Sequence, residues 1–236
     1  MAPRRTVSEL HRRGRLELAP PAAGGAPAPS ALSAPGTHVL DADGTPVLLH
    51  VPAGLPAGTP VPLLVVLHGA GGRATTMVAS AARAAERTGT LLLAPQSTAA
   101  TWDVIRDGFG PDVAVLETAL ALAAQHHPLD PARLGVGGFS DGASYALSLG
   151  LGNGDVLRHV LAWSPGFAAP EEQHGRPRVF VCHGTADEVL PIDRCSRPLV
   201  ARLRRAGYAV AYTEFEGPHV MREDLVEESL RWFVTG

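Results

Sequence analysis

The sequence predicts an α/β fold, a mostly parallel central sheet with helices on both of its faces. Three observations carry that prediction. From residue 63 onward, short apolar runs alternate with helix-length segments. The run at residues 63–67 is apolar without interruption, as a strand buried on both faces requires. A chain of 236 residues is long enough for one sizeable core and short for two ordinary domains.

Residues 1–36 read as an N-terminal extension, partly irregular. Residues 4–18 have room for a short helix or an edge strand, and the Pro/Ala/Gly-rich stretch up to Gly36 reads as a linker. Composition favours a solvated arm here over an anionic tether. The folded domain is expected over residues 37–236. Strands at 38–41 and 47–51 flank Asp43-Gly44, a hairpin dipeptide. After the strand at 63–67 come an Ala-rich helix at 75–87 and a strand at 91–94. A helix at 112–124 places Val113, Val115, Leu116, Leu120 and Ala123 on one face. Then follow a strand at 134–138, a helix at 142–151 and strands at 160–162 and 179–182. A helix at 199–205 stopping at Gly207, a strand at 208–215 and a helix at 222–233 close the chain.

Composition removes several function classes. Hydrophobic residues make up 45% and charged residues 18%, which suits a globular domain. A net charge of -3 gives no electrostatic reason to bind nucleic acid or an anionic membrane. All 20 basic residues are Arg, so a Schiff-base lysine, a Ser–Lys dyad and a phosphate-binding P-loop are excluded. Cys182 and Cys195 are too few for a disulfide framework, lie outside any metal-spaced cluster, and read as free thiols. No run of about 18 apolar residues and no leader-type apolar segment is present, so no membrane span is expected and a cytoplasmic location is.

Gly138-Phe139-Ser140-Asp141-Gly142 matches G-x-S-x-G between a predicted strand and a predicted helix. A nucleophilic serine on so tight a turn needs small residues two positions to either side, and the following helix aims its N-terminal N–H groups at developing negative charge. The alternative is a Gly-rich turn with a capping serine. A dinucleotide loop at Gly135-Val136-Gly137-Gly138 fits poorly, because the third glycine position is Ser140. His68-Gly69-Ala70-Gly71-Gly72 follows the buried strand. Acyl transfer needs two N–H donors for an oxyanion, and Ala70 and Asp141 are the candidates. His68 reads as a loop brace.

His183-Gly184-Thr185-Ala186-Asp187 also follows an apolar strand, where open parallel sheets place their chemistry. Asp187 is the candidate acid that would hold an imidazole tautomer, with Asp193 as its competitor and His183 read as structural. Glu216-Gly217-Pro218-His219 places a loop histidine before the last helix. His219 is the candidate base and completes the order Ser…Asp…His.

These motifs, with Trp102-Asp103 and Asp130-Pro131-Ala132-Arg133-Leu134, resemble the phospholipase/carboxylesterase group of α/β hydrolases, including acyl-protein thioesterase-like esterases. They also share features with polyhydroxybutyrate depolymerases and feruloyl esterases. The resemblance spans roughly residues 45–235. It implies the α/β-hydrolase fold and a serine hydrolase of carboxylic esters or thioesters with no metal and no cofactor. It implies a catalytic set of Ser140, Asp187 and His219, with Ala70 and Asp141 as the oxyanion hole. Asp141 stands where acyl-protein thioesterase-like members often carry Gln, and Pro218 where Gly is common.

Fewer than about 20 residues separate Ala162 from Val179, which is loop-sized and leaves no room for a cap domain. An open, shallow acyl site follows. Residues 96–111, carrying Trp102 and Phe109, are the expected pocket wall, with Trp102, Gly71 and Phe139 as substrate contacts and a core or loop anchor as the equal alternative for Trp102. A small-molecule ester or thioester is the expected partner, and the sequence leaves the oligomeric state open. An acyltransferase, perhydrolase or peptidase using the same residues is the alternative enzyme, and a non-catalytic binding protein the alternative to an enzyme.

Overall fold

A computed structural model describes residues 7–18, 31–56 and 58–236. Most of the predicted linker therefore lies outside the described residues. The first described element is a short helix, α1 (Glu9–Arg12), followed later by a 3-10 turn at Ala31–Ser33.

Eight strands form one sheet. The hairpin β1 (Gly36–Ala42) and β2 (Thr45–Val51) turns at Asp43 and Gly44, both left-handed with φ of 54° and 83°. That conformation is what an Asp-Gly turn supplies and what joins two twisted strands with two residues. Next along the chain are β3 (Val61–Leu67), α2 (Ala74–Thr88), β4 (Leu91–Pro95), the short α3 (Asp103–Arg106) and α4 (Pro111–His126). They are followed by β5 (Leu129–Phe139), α5 (Asp141–Gly152), β6 (His159–Trp163), β7 (Arg178–Gly184), α6 (Ser196–Arg205), β8 (Val210–Phe215) and α7 (Glu223–Thr235). The spatial order is β1-β2-β4-β3-β5-β6-β7-β8. Strands β3 to β8 run parallel, and only the hairpin end is antiparallel.

The alternation of side chains along β3 shows how both faces are filled. Leu63, Val65 and Leu67 join the cluster that takes in α4, α5 and α6. Leu64 and Val66 join the cluster built from α2 and α7. Each such side chain contributes about 1.5–3 kcal/mol when taken fully out of water, so the uninterrupted apolar run is the sequence cost of burial on both faces. The connection from β6 to β7, residues 164–177, contains no helix. No helix of the described residues is long and apolar enough to cross a membrane. Cys182 and Cys195 are buried and unbridged.

Residues 7–18, read from composition as part of a solvated arm, lie against α4 and the end of α5. Leu16 is buried within the core cluster. Arg15 makes a forked pair with the Asp155 carboxylate, 3.0 Å at both oxygens. The side-chain amide of Asn153 donates to Gly14 O (2.6 Å) and its oxygen accepts the Leu16 N–H (2.9 Å). On α4 the expected apolar face is buried, and so are Asp112, Ala114, Glu117 and Ala119. The arm accounts for the buried acid, because Glu117 accepts from the His11 ring (3.1 Å) and from the Glu17 N–H (2.5 Å).

Candidate active site

The C-terminal ends of β3, β5, β7 and β8 converge on one edge of the sheet, and the glycines there explain how. Ser140 sits between β5 and α5 at φ 58° and ψ -119°, a backbone region that L-residues rarely occupy. A Cβ on Gly138 would overlap the Gly142 backbone, and one on Gly142 would overlap the Leu67 carbonyl at the end of β3. The elbow is thus wedged against the neighbouring strand, leaving the serine as the residue that turns outward. Its carbonyl is braced by the Ser144 hydroxyl (3.2 Å), which in turn accepts the Gly166 N–H (2.9 Å).

The 216–218 segment after β8 lies directly on the end of β7. Ala186 N–H donates to Gly217 O (3.0 Å), and a Cβ on Gly184 would overlap that same carbonyl. This contact brings His219 over Asp187. His219 Nδ1 lies 2.5 Å from Asp187 Oδ2, and its Nε2 lies 2.9 Å from Ser140 Oγ. The Phe139 ring stands 4.7 Å from the imidazole, centroid to centroid, and walls one side of it.

Asp187 is buried, and burial alone would raise its pKa. The Leu190 N–H and the His219 hydrogen bond outweigh burial, so the group titrates below the usual carboxylate range. Its Oδ1 accepts from Val189 N–H (2.9 Å) and Leu190 N–H (2.8 Å). An ionised Asp187 assigns the proton of His219 to Nδ1 and leaves Nε2 free to accept from the serine hydroxyl. Asp193, the competing acid, instead pairs with Arg197 at 2.6 Å on the surface.

His183 also reaches Asp187. Its Nε2 is 3.0 Å from Asp187 Oδ2 and 2.8 Å from Leu190 O, while its Nδ1 accepts from the Ser196 hydroxyl at 2.6 Å. Burial lowers its pKa, which suits a neutral imidazole. Neither the arrangement nor Ser196's part in it had a local signal in the sequence, because the partners meet only through packing.

The 68–72 loop lies beside the elbow, since a Cβ on Gly69 would stand 3.3 Å from the Ser140 Cβ. His68 is buried and braces it: its Nδ1 donates to Gly69 O (2.7 Å) and its Nε2 accepts from Ser97 N–H (3.1 Å). Gly71 is exposed and left-handed at φ 63°, with its N–H given to Ala100 O (2.8 Å). The N–H groups of Ala70 and Asp141 make no backbone hydrogen bond among the described residues. The Asp141 carboxylate accepts from Thr101 Oγ1 at 2.7 Å, tying the first residue of α5 to residues 96–111.

Trp102 takes the second of its two readings, that of a core and loop anchor. Its exposure is 0%, which rules out the substrate contact. The indole is stacked on Tyr145 and donates its N–H to His68 O at 2.8 Å, so its apolar body is spent on the core and its polar tip on a loop carbonyl. Phe109 is buried as well. Among the described residues, one group of His and carboxylate side chains, His11, Glu17 and Glu117, is close enough to share an ion. The Ser8 N–H donates to His11 Nδ1 (3.2 Å), which puts the ring proton on the Nε2 that a metal would need.

Compared by sequence, the chain matches no protein-family model and no curated protein. Its fold does match solved structures. Esterase PE8 aligns with a TM-score of 0.62 at 25% identity, covering 80% of this chain and 96% of that one. A carboxylesterase from Bacillus cereus aligns at 0.63 with 19% identity, covering 81% and 94%. An S-formylglutathione hydrolase from Staphylococcus aureus aligns at 0.70 with 14% identity, covering 85% and 98%. The chain has the α/β-hydrolase fold shared by these enzymes.

Proposed function

We propose that the protein is a serine hydrolase that cleaves carboxylic esters or thioesters through an acyl-enzyme on Ser140. The observation that carries this reading is the position of His219, within hydrogen-bond distance of both the Ser140 hydroxyl and the Asp187 carboxylate. As Ser140 Oγ attacks the substrate carbonyl, His219 Nε2 takes its proton, and the ionised Asp187 stabilises the imidazolium. The Ala70 and Asp141 N–H groups receive the oxyanion of the tetrahedral intermediate. Collapse of the intermediate expels the alcohol or thiol, which takes the proton back from His219. Water, deprotonated by the same imidazole, then attacks the acyl-enzyme, and the acyl–Oγ bond breaks to release the acid as His219 returns the proton to Ser140 Oγ.

Phe139 and Gly71 line the site as substrate contacts in this reading, and Trp102 does not. The absence of a helix between β6 and β7 supports an open acyl site suited to short-chain esters. The test combines a fluorophosphonate probe with a p-nitrophenyl ester series. A probe adduct on the Ser140 peptide and turnover that declines with acyl length are expected. Ser140→Ala should take up no probe and lose several orders of magnitude in kcat, keeping roughly 10³–10⁴-fold catalysis over water. Wild-type rates in that variant, or no turnover by the parent chain, overturn the reading.

A further inference from the structure

We infer that residues 7–18 are a positioning element of the active site, acting on the 68–72 loop through a continuous stack of side chains. This inference rests on the reading of that loop as half of the oxyanion hole.

The stack begins where the arm turns. Gly14 is buried and left-handed at φ 69°, and a Cβ there would stand 2.7 Å from the Phe109 ring. Phe109 is thus in direct contact with the arm backbone. Its ring lies 5.8 Å from that of Tyr145 (centroid to centroid), and Tyr145 stacks on Trp102 at 5.1 Å. Trp102 meets His68 at 4.8 Å and donates its indole N–H to His68 O at 2.8 Å. That carbonyl belongs to the peptide leading into Gly69 and Ala70. Every member of the stack is buried.

Close-packed interiors transmit displacement because they hold little void to absorb it. The arm is anchored independently of the stack: Leu16 lies in the core, and Arg15 grips Asp155 and donates to Gly152 O. The arm therefore presents Gly14 to Phe109 as a fixed surface. Removing that surface frees Phe109, then the tilt of Tyr145 and Trp102, and finally the peptide that aims the Ala70 N–H. An oxyanion donor acts on the transition state, so the signature is a loss in kcat with KM retained.

The test is a double-mutant cycle in the full chain. Gly14→Ala pushes a methyl group into the Phe109 ring and should lower kcat for p-nitrophenyl acetate roughly tenfold, with KM within about twofold. Phe109→Ala should lower kcat similarly, and adding Gly14→Ala to it should cause no further loss. Leu16→Asp, which undocks the arm, should reproduce the same kcat loss while retaining the far-UV circular dichroism of the parent. Additive losses in the cycle, or parental kcat in Gly14→Ala and Leu16→Asp, overturn the inference. A parent chain that neither labels with fluorophosphonate nor turns over ester overturns the hydrolase reading itself. A labelled Ser140 with unaffected variants overturns the brace alone.

Discussion

His183 and His219 direct ring nitrogens at the same oxygen of Asp187, at 3.0 Å and 2.5 Å. With two backbone N–H groups on the other oxygen and the His219 ring on this one, the carboxylate accepts three hydrogen bonds. The His183 ring, whose N–H goes to Leu190 O, packs against it. A carboxylate so restrained has one orientation, and the imidazole of His219 inherits it. His183 can play this part because the Ser196 hydroxyl fills its Nδ1 and fixes its tautomer.

Replacing His183 by Leu should separate positioning from chemistry. The change removes the ring packed against Asp187 and leaves the Leu190 carbonyl and the Ser196 hydroxyl unpaired in the interior. Urea unfolding should show a loss of about 2–4 kcal/mol, and ester turnover should fall about tenfold in kcat with KM little changed. Ser196→Ala, which removes the outer member, should cost only about 1 kcal/mol. Full stability in the His183→Leu chain would show that the shared oxygen carries no weight.

Asp187→Asn probes the next bond in the series. The amide keeps the shape of the carboxylate but presents an N–H2 toward one imidazole. It thereby favours the His219 tautomer with its proton on Nε2, facing the serine. Loss of about 10⁴-fold in kcat is expected, with KM and fold retained. Steady-state kinetics on p-nitrophenyl acetate measures it, and a loss smaller than about tenfold would argue that His219 draws its orientation from elsewhere.

The order of the site along the chain was legible in the sequence because its requirements are local. Glycines at 138, 142 and 184 mark places where another backbone comes too close for a Cβ, the first and last at strand ends and Gly142 in the first turn of α5. Hydrophobic runs located the strands, and the Asp43-Gly44 turn fixed the hairpin. What sequence reading missed is tertiary. Trp102 reads as an aromatic in a loop, and nothing near it in sequence says that Tyr145 and the His68 carbonyl will bury it. The arm reads as solvated because its composition is basic and Gly-flanked. Its docking depends on Glu117, Asn153 and Asp155, more than 100 positions away. The buried Glu117 is opaque for the same reason.

Two glycines of the site should respond differently to the same substitution. Gly142→Ala has no room, since its Cβ would overlap the Leu67 carbonyl, and the first turn of α5 would have to part from the end of β3. A loss of about 3 kcal/mol or more is expected, along with most of the esterase activity. Gly71→Ala meets nothing within 4 Å and carries only the strain of φ 63°. It should cost about 1–2 kcal/mol and leave Ser140 reactive toward fluorophosphonate. Parallel denaturation curves decide the matter, and equal losses would mean that wedging at the elbow is not what selects Gly142.

A marked pH dependence should come from a carboxylate outside the set proposed for catalysis. Asp103 is buried beside Asp112, and burial together with that neighbouring charge raises its pKa to about 7. Its Oδ2 accepts from Gly110 N–H (2.8 Å) and Asp112 N–H (2.9 Å), while Oδ1 and the Tyr145 hydroxyl lack partners at hydrogen-bond geometry among the described residues. In the unfolded chain the group titrates near 3.8. Between those values the folded state binds the extra proton, so the contribution of Asp103 is greatest near pH 4 and is lost as pH rises toward 7. His159, which burial holds down at about 4, acts in the opposite sense over most of that range. The acids held low by partners, Asp187 and Asp155 among them, act in the opposite sense and lose their contribution only below about pH 4. Asp103→Asn keeps the acceptor for the two N–H groups and removes the charge. It should stabilise the protein relative to the parent at pH 8 by about 2–4 kcal/mol and do little at pH 4.5, so the difference between the two chains grows across that range. Thermal unfolding of both chains across that range measures the effect. An unchanged slope in Asp103→Asn would place the pH dependence on another group.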